Sequence, residues 1–294
     1  MPQCYVPLPM TFKEPLPESS CPALPGFSVL SLEGPQAAAF AQAQFSNDVS
    51  GLTSGHWHWS SWLTAKGRVV AIFALLRLCE DRFWLVLPDH PADTLAMALQ
   101  RFVFRSKLQL QALPSVCAAA GPERTAADND RIAGDPEHGI ALDFGGDALA
   151  RSLLLLPEGH PALAGPDPDR NRAWLAADIA LGLPRLGPDQ VEAWTPQMLS
   201  LERLGAYSLR KGCYPGQEIV ARTHYRGQAK RGLLRLAGEG LAESQGLQPS
   251  GTVVCALPDG SEALAVGPDE AEGYALQGRP LRRLALVDGL RRPR

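Results

Sequence analysis

The sequence predicts an α+β protein: an antiparallel sheet flanked by helices and followed by a small all-β unit. Three observations carry that class. Residues 56–88 read as three consecutive strands, HWHWSSWL, GRVVAIFALLRL and DRFWLVLP, separated only by AKGR and CEDR turns, which suits antiparallel pairing. Helical spacing falls on either side of that block instead of alternating with single strands. Beyond residue 231 the chain breaks into short, evenly spaced strands, GLLRLAG, GTVVCALP, EALAVG, GYALQG and LRRLALVDG, the pattern of a small barrel or sandwich.

Taken in order, MPQCYVPLPMTFKEPLPESSCPALPG places seven prolines in its first 25 residues and reads as an extended lead-in. It has neither the basic start and apolar stretch of a secretory signal nor the arginine-rich look of a transit peptide. FSVLSLEG (27–34) reads as a strand, and PQAAAFAQAQFSNDV (35–49) as a helix with Pro35 in its first turn. After the three strands, PADTLAMALQRFVF (91–104) is a helix pattern with Leu95, Leu99 and Phe102 on one face. LQLQALP (108–114) returns to strand alternation. Residues 118–138, rich in Gly, Pro, Ala and charge, read as a loop or domain junction, and residues 157–170 as another loop. Between them SLLLLP (152–157) is a buried-strand pattern. NRAWLAADIALGLPRLG starts as a helix and stops at Gly182 and Pro184, and GQEIVARTHYRG is a short helix ending at Gly227.

Whole-chain properties narrow the function classes. With 294 residues, the chain has length for one large domain or two to three smaller ones. A net charge of −3 and a pI near 6.1 give no global pull toward nucleic acid. Six cysteines (Cys4, Cys21, Cys79, Cys117, Cys213, Cys255) are scattered without C-x-x-C spacing, which fits reduced thiols in a cytoplasmic protein. The longest apolar run, Val69 to Leu76, is far short of the ~20 residues that span a bilayer, so no membrane partner is expected. No Walker, dinucleotide-binding or nucleophile-elbow motif occurs. His56 and His58 alternate with Trp57 and Trp59 and read as an exposed strand face, with no third ligand for a metal. Asp128, Asp130, Asp167 and Asp169 lack calcium-loop spacing and read as solvating charges. No permanently bound metal is expected.

One stretch stands apart. KGCYPGQE (211–218) puts Cys213 in a turn rich in glycine and proline, beside Arg210 and Lys211. Gly212 and Gly216 imply unusual backbone angles or a close approach, Pro215 stiffens the turn, and Gln217–Glu218 open a helix. Neighbouring cations and a helix start both favour the thiolate form of a cysteine, although a turn cysteine can equally be incidental. From Arg203 to Arg235 the chain carries eight Lys/Arg against one acid, Glu218, interleaved with Tyr207, Tyr214, His224 and Tyr225. That suits a polyanion, a phosphate backbone or a polycarboxylate tail, and equally a solvated helix face. Trp174, at the apolar start of a helix, is a core candidate that is also able to stack on a flat heterocycle.

KGCYPGQE resembles the K-G-C-Y-x-G-Q-E signature of the YgfZ family, folate-binding proteins related in fold to the aminomethyltransferase of the glycine cleavage system. The resemblance continues through EIVARTHYRGQAKRGL, WTPQMLSLERLGAYSLR, SLEGPQAAAFAQAQFSNDVSGL and TAKGRVVAIF, and is weakest between about 115 and 170. It implies a three-lobed α+β fold around a central folate channel. Residues 1–228 would form the folate-binding body, two intertwined lobes with one roughly 52–116, and residues 229–294 the C-terminal β-barrel.

The resemblance also implies binding of tetrahydrofolate or a one-carbon derivative, and a role in iron–sulfur cluster assembly or repair. That role would support iron–sulfur enzymes such as those modifying tRNA, with assembly proteins or client enzymes as partners. Trp174 stands where the family carries a folate-contacting tryptophan, and Phe27 where relatives can carry a second one. Arg222 and Arg226 would meet the folate's glutamate tail. Cys213 would be the reactive thiol, with Lys211 beside it and Gly212, Tyr214, Pro215, Gly216, Gln217 and Glu218 shaping the motif. Two departures weigh against aminomethyl transfer, the enzymatic alternative. Ala180 stands where the transferase has a pterin-binding acid, and Pro88 stands where its Asn-Ala run begins, leaving Asp89 and Asp93 near the place of its catalytic acid. Direct tRNA binding through the basic stretch is the remaining alternative.

Overall fold

Two long apolar strands set the architecture. In the computed structural model, which describes residues 18, 20–122, 129–227 and 230–292, His56–Leu63 and Val69–Cys79 pair antiparallel from His56↔Arg77 to Leu63↔Val69. The proline-rich lead-in up to residue 17, with Cys4, and Asp128 lie outside the described residues. Arg82–Leu87, Ser28–Glu33 and Gln109–Ala112 complete a five-stranded sheet in that order, all neighbours antiparallel. Both faces are covered, which is why the two long strands are apolar on both sides. Helices α1 (Ala37–Gln44) and α2 (Ala92–Gln100) cover one face through Phe40, Leu95 and Leu99, packed on Leu30, Phe73 and Leu85. The opposite face carries Trp57, Trp59, Ile72, Leu76 and Trp84.

Local contacts correct several expectations here. α1 ends at Gln44, five residues early, because Phe45 turns extended and bridges to Trp62. α2 stops at Gln100, so Leu95 and Leu99 are buried while Phe102 lies outside the helix, 46% exposed. His58 is not on an exposed face: it is buried with its Nδ1 3.0 Å from the Asn47 amide, because this sheet has no solvent side.

A second, four-stranded antiparallel sheet runs Val116–Ala120, Ser152–Pro157, Gly139–Asp143, Ala133–Asp135. The segment expected as a loop from 118 to 138 is therefore strand at both ends. Its alanines and glycines lack the branched side chains that advertise strands, yet pack closely against Leu154 and Leu156. Within the second expected loop, Leu163–Ala164 pairs in parallel with Cys21–Pro22. Helix α3 (Pro168–Leu181) begins earlier than expected because Asp167 caps it, accepting from the N–H groups of Asp169 (2.9 Å) and Arg170 (3.1 Å). Asp167 is thus a cap and not merely a solvating charge. Gly182, at φ +70°, ends the helix as its sequence position predicts.

The C-terminal strands form the expected barrel-like sheet, in the order Gly246–Leu247, Gly251–Ala256, Glu262–Gly267, Gly232–Ala237, Arg279–Leu284, Tyr274–Leu276. A bridge between Gln248 and Ala275 joins the two outer ends and nearly closes it. After Leu284 the chain leaves this sheet and returns to the body. Val287 N–H donates to the Ala180 carbonyl (2.8 Å), and the Leu290 carbonyl accepts from the Trp59 indole N–H (3.1 Å). Arg292 is buried, donates to the carbonyls of Asp143 and Gly145, and lies 4.9 Å over the Trp57 ring. Among the described residues no helix is long and apolar enough to cross a membrane.

Candidate functional site

The KGCYPGQE turn is held by interlocking backbones. Gly216 has φ +78°, and a Cβ there would lie 2.6 Å from both Gly67 Cα and the Thr64 carbonyl oxygen. The turn therefore docks onto the TAKGR hairpin as only a glycine allows. Gly212 has open space around its Cα and no positive φ, so the close approach expected of both glycines belongs to Gly216 alone. Helix α4 (Gln217–Arg226) starts directly from Gly216, and the Gln217 side-chain Nε2 donates back to the Lys211 carbonyl at 3.1 Å. Tyr214 is buried, its hydroxyl donating to the Ser208 carbonyl (3.2 Å), and Pro215 is half-buried. Cys213 and Glu218 are exposed.

Lys211 is expected as a cation beside the thiol, but its ammonium turns into the protein. It donates to the carbonyls of Gln42 (2.6 Å), Phe45 (2.5 Å) and Asn47 (2.9 Å), gathering the last turn of α1 and the chain just past it. Burial lowers its pKa to about 8, opposed by the carboxylate of Asp48. All three ammonium donors are used, so the lysine stitches the signature turn to the end of α1 and the residues that follow it.

Elsewhere, Phe27 and Trp174 come together, ring centroids 6.3 Å apart and edge to face, beside Phe144. Trp174 is buried, with Arg151 4.4 Å over its ring, yet its indole N–H has no acceptor among the described residues. Arg185 stacks 4.6 Å over Phe27. Between the two arginines sits Asp178, fully buried, with Oδ1 accepting from Arg151 (2.6 Å) and Oδ2 from Arg185 (2.7 Å). Sequence reasoning passed over this triad. The available signal was a lone acid inside the apolar run WLAADIALGLP, which must find a partner to be buried.

Arg185 and Asp178 also line a cavity of about 410 Å³ where three parts of the fold meet. Asp89 enters from the loop between strand Arg82–Leu87 and α2, Leu175 from α3, and Glu243 and Cys255 from the barrel. Burial pushes Asp89 up to about 7 despite the opposing pull of Arg185, and the Leu186 N–H donates to its carboxyl. Burial raises Glu243 as well, and takes the Cys255 thiol up to about 12, an inert thiol. Pro88 contributes its carbonyl to Arg185, while Asp93 is exposed at the start of α2. Ala180 is buried in α3.

The basic stretch is thinned by its own contacts. Arg203 pairs with Asp288 and Arg235 with Glu262, Arg231 donates to Ser250, and Lys211 is buried. Arg210, Arg222, Arg226 and Lys230 are exposed, Arg222 and Arg226 on α4 beside Tyr225. Phe27 and Trp174 thus belong to an aromatic cluster that does not line the cavity but is linked to its wall through Arg185 and the Arg151–Asp178 pair, while Cys213, Arg222 and Arg226 belong to the α4 surface.

The fold is that of the glycine-cleavage aminomethyltransferases: the enzyme from Bartonella henselae superimposes with a TM-score of 0.67 over 90% of this chain and 84% of its own, at 17% identity. Within that fold the chain is similar in sequence to the YgfZ proteins. It is 28% identical to the tRNA-modifying protein YgfZ of Pectobacterium carotovorum, over 74% of this chain and 70% of that one. The Sodalis glossinidius protein of the same name is 27% identical, over 84% and 85%. An uncharacterized protein of Haemophilus influenzae is 28% identical, over 72% and 71%. No family model matches the sequence.

Proposed function

We propose that this protein binds a reduced folate in the cavity where its lobes meet. We further propose that it acts as an accessory factor for iron–sulfur cluster assembly or repair, supporting iron–sulfur enzymes that modify tRNA. The observations that carry the folate reading are a cavity of small-molecule size and, one residue before its lining residue Leu175, the buried indole N–H of Trp174, which has no acceptor among the described residues. A heterocycle with ring nitrogens or a carbonyl supplies the missing acceptor. Asp89 and Glu243 offer the carboxyls for the amino edge of a pterin that Ala180 does not. Phe27 and Trp174 give the ring contacts, and Arg222 and Arg226 the cations for a polycarboxylate tail. A bound reduced folate supplies one-carbon chemistry; the chain's part is to orient it and exclude water. The relatives' tRNA-modifying role supports the process. Cys213, exposed on its fixed turn, is the thiol able to meet a partner, and because one thiolate cannot hold a cluster alone, any cluster contact is shared.

Titration with tetrahydrofolate, followed by tryptophan fluorescence, tests the cavity. Wild type should show saturable quenching, and Trp174→Phe, which keeps a ring but loses the N–H, should bind roughly 5- to 10-fold more weakly, about one hydrogen bond. Wild type without saturable quenching would sink the reading. Cys213→Ala should fold and bind tetrahydrofolate as wild type does, yet fail to restore iron–sulfur enzyme activity in a host lacking its own copy. Full restoration would reduce the thiol to part of the turn.

A further inference from the structure

The large apolar side chains left exposed among the described residues are Met97, Phe102, Phe104 and Tyr225, and three of these four fall within residues 97–107. Phe104 is 77% exposed, Met97 66% and Phe102 46%. Arg101, Arg105 and Lys107 stand among them, all exposed, and no Asp or Glu occurs between Asp93 and Glu123. A protein of net charge −3 thus concentrates cations around two solvent-facing rings. Glu33, at the same end of the sheet, is already paired with Arg82.

The segment is built rather than loose. The Gln36 side-chain oxygen accepts from the Lys107 N–H (2.5 Å), and the Gln36 N–H donates to the Lys107 carbonyl (3.4 Å). Gly34 makes room for that contact, since a Cβ there would meet the backbone of Lys107 and Leu108. Phe102 is braced edge-on by Trp62, centroids 6.0 Å apart. Arg105 adopts φ +58°, unusual for a side-chain-bearing residue, and its guanidinium lies 5.0 Å over the Phe104 ring.

We propose that residues 97–107 are a docking surface for single-stranded RNA, with Phe104 and Arg105 the platform for an unstacked base and Arg101 and Lys107 holding the flanking phosphates. Flat rings alternating with cations are how proteins hold single strands without reading sequence. The patch is one short segment, 97–107, whereas a stable protein interface draws on about 20–30 residues a side. Seating it in a bilayer would carry the Arg105 guanidinium in with the ring it covers, a costly burial.

Anisotropy of a fluorescein-labelled oligouridylate of about twelve nucleotides, with the full chain at about 50 and 200 mM salt, tests this. Phe104→Ala should weaken binding roughly 5- to 150-fold, the loss expected for one stacked base. The double change Arg101→Gln, Lys107→Gln should lower the salt slope by about 1.4. Tyr225→Ala should bind as wild type does. Tetrahydrofolate quenching by Phe104→Ala should match wild type, showing an intact fold, so failure here leaves the cavity reading standing. The proposal is overturned if wild type does not bind, if Phe104→Ala binds equally well, or if Tyr225→Ala loses as much. It is also overturned if the patch proves to serve phosphatidylglycerol vesicles in place of RNA.

Discussion

Asp89 holds a proton that most carboxyls release, because the cavity wall strips it of water more than Arg185 compensates. Unfolded, it titrates near 3.9; folded, at about 7. Between those values the folded chain binds more protons, so this residue's contribution to stability is complete below pH ~4 and is lost as pH rises toward 7. Asp89→Asn removes that dependence. The difference in urea midpoint between variant and wild type should move in the variant's favour from pH 4 to 7 and then level off; a constant difference would place Asp89 in ordinary solvent contact. Residues of this kind are poorly legible in a sequence. Asp178 announces only that it needs partners, and Arg151 and Arg185 are supplied from the loop before Ser152–Pro157 and from a later loop. Lys211 was legible as a cation next to a cysteine, but its direction depends on where residues 42–47 end up, which no local pattern states.

At the scale of the element, the signature turn works because two glycines meet. Gly216→Ala combines a left-handed φ with a Cβ inside backbone contact distance, and should cost about 1–3 kcal/mol in denaturant unfolding. Gly212→Ala, in open space, should stay within about 0.5 kcal/mol. Equal losses at the two positions would mean the hairpin contact does not hold the turn. Elements with a strong period were read correctly, such as the three central strands and α4 with its terminal Gly227. The misreadings have a common cause. Phe102 continues the spacing of α2 after the helix has ended, and VCAAA pairs as a strand on alanines that favour no strand alone. In both, tertiary contacts outvote local preference.

Across the whole molecule, the C-terminal barrel was visible as evenly spaced short strands, whereas the cavity was not, since its wall is assembled from segments more than 150 residues apart. The return of residues 286–292 to the body was also hidden, because LALVDGL looks like one more strand. Ending the chain after Ala285 removes the acceptor of the Trp59 indole and the Arg292 side chain over Trp57. The shortened protein should lose more than about 3 kcal/mol, the cost of uncovering large apolar side chains and orphaning buried polar ones. An unchanged urea midpoint would show the returning segment to be a passenger.

That same segment imposes an order on biosynthesis. Trp57 and Trp59 leave the ribosome early, and the Leu290 carbonyl and Arg292 guanidinium that meet them follow roughly tens of seconds later at ~5–20 residues per second. Until then the Trp59 indole lacks its acceptor and the Trp57 ring its cation, so the packing of the first sheet waits on residues made long after it.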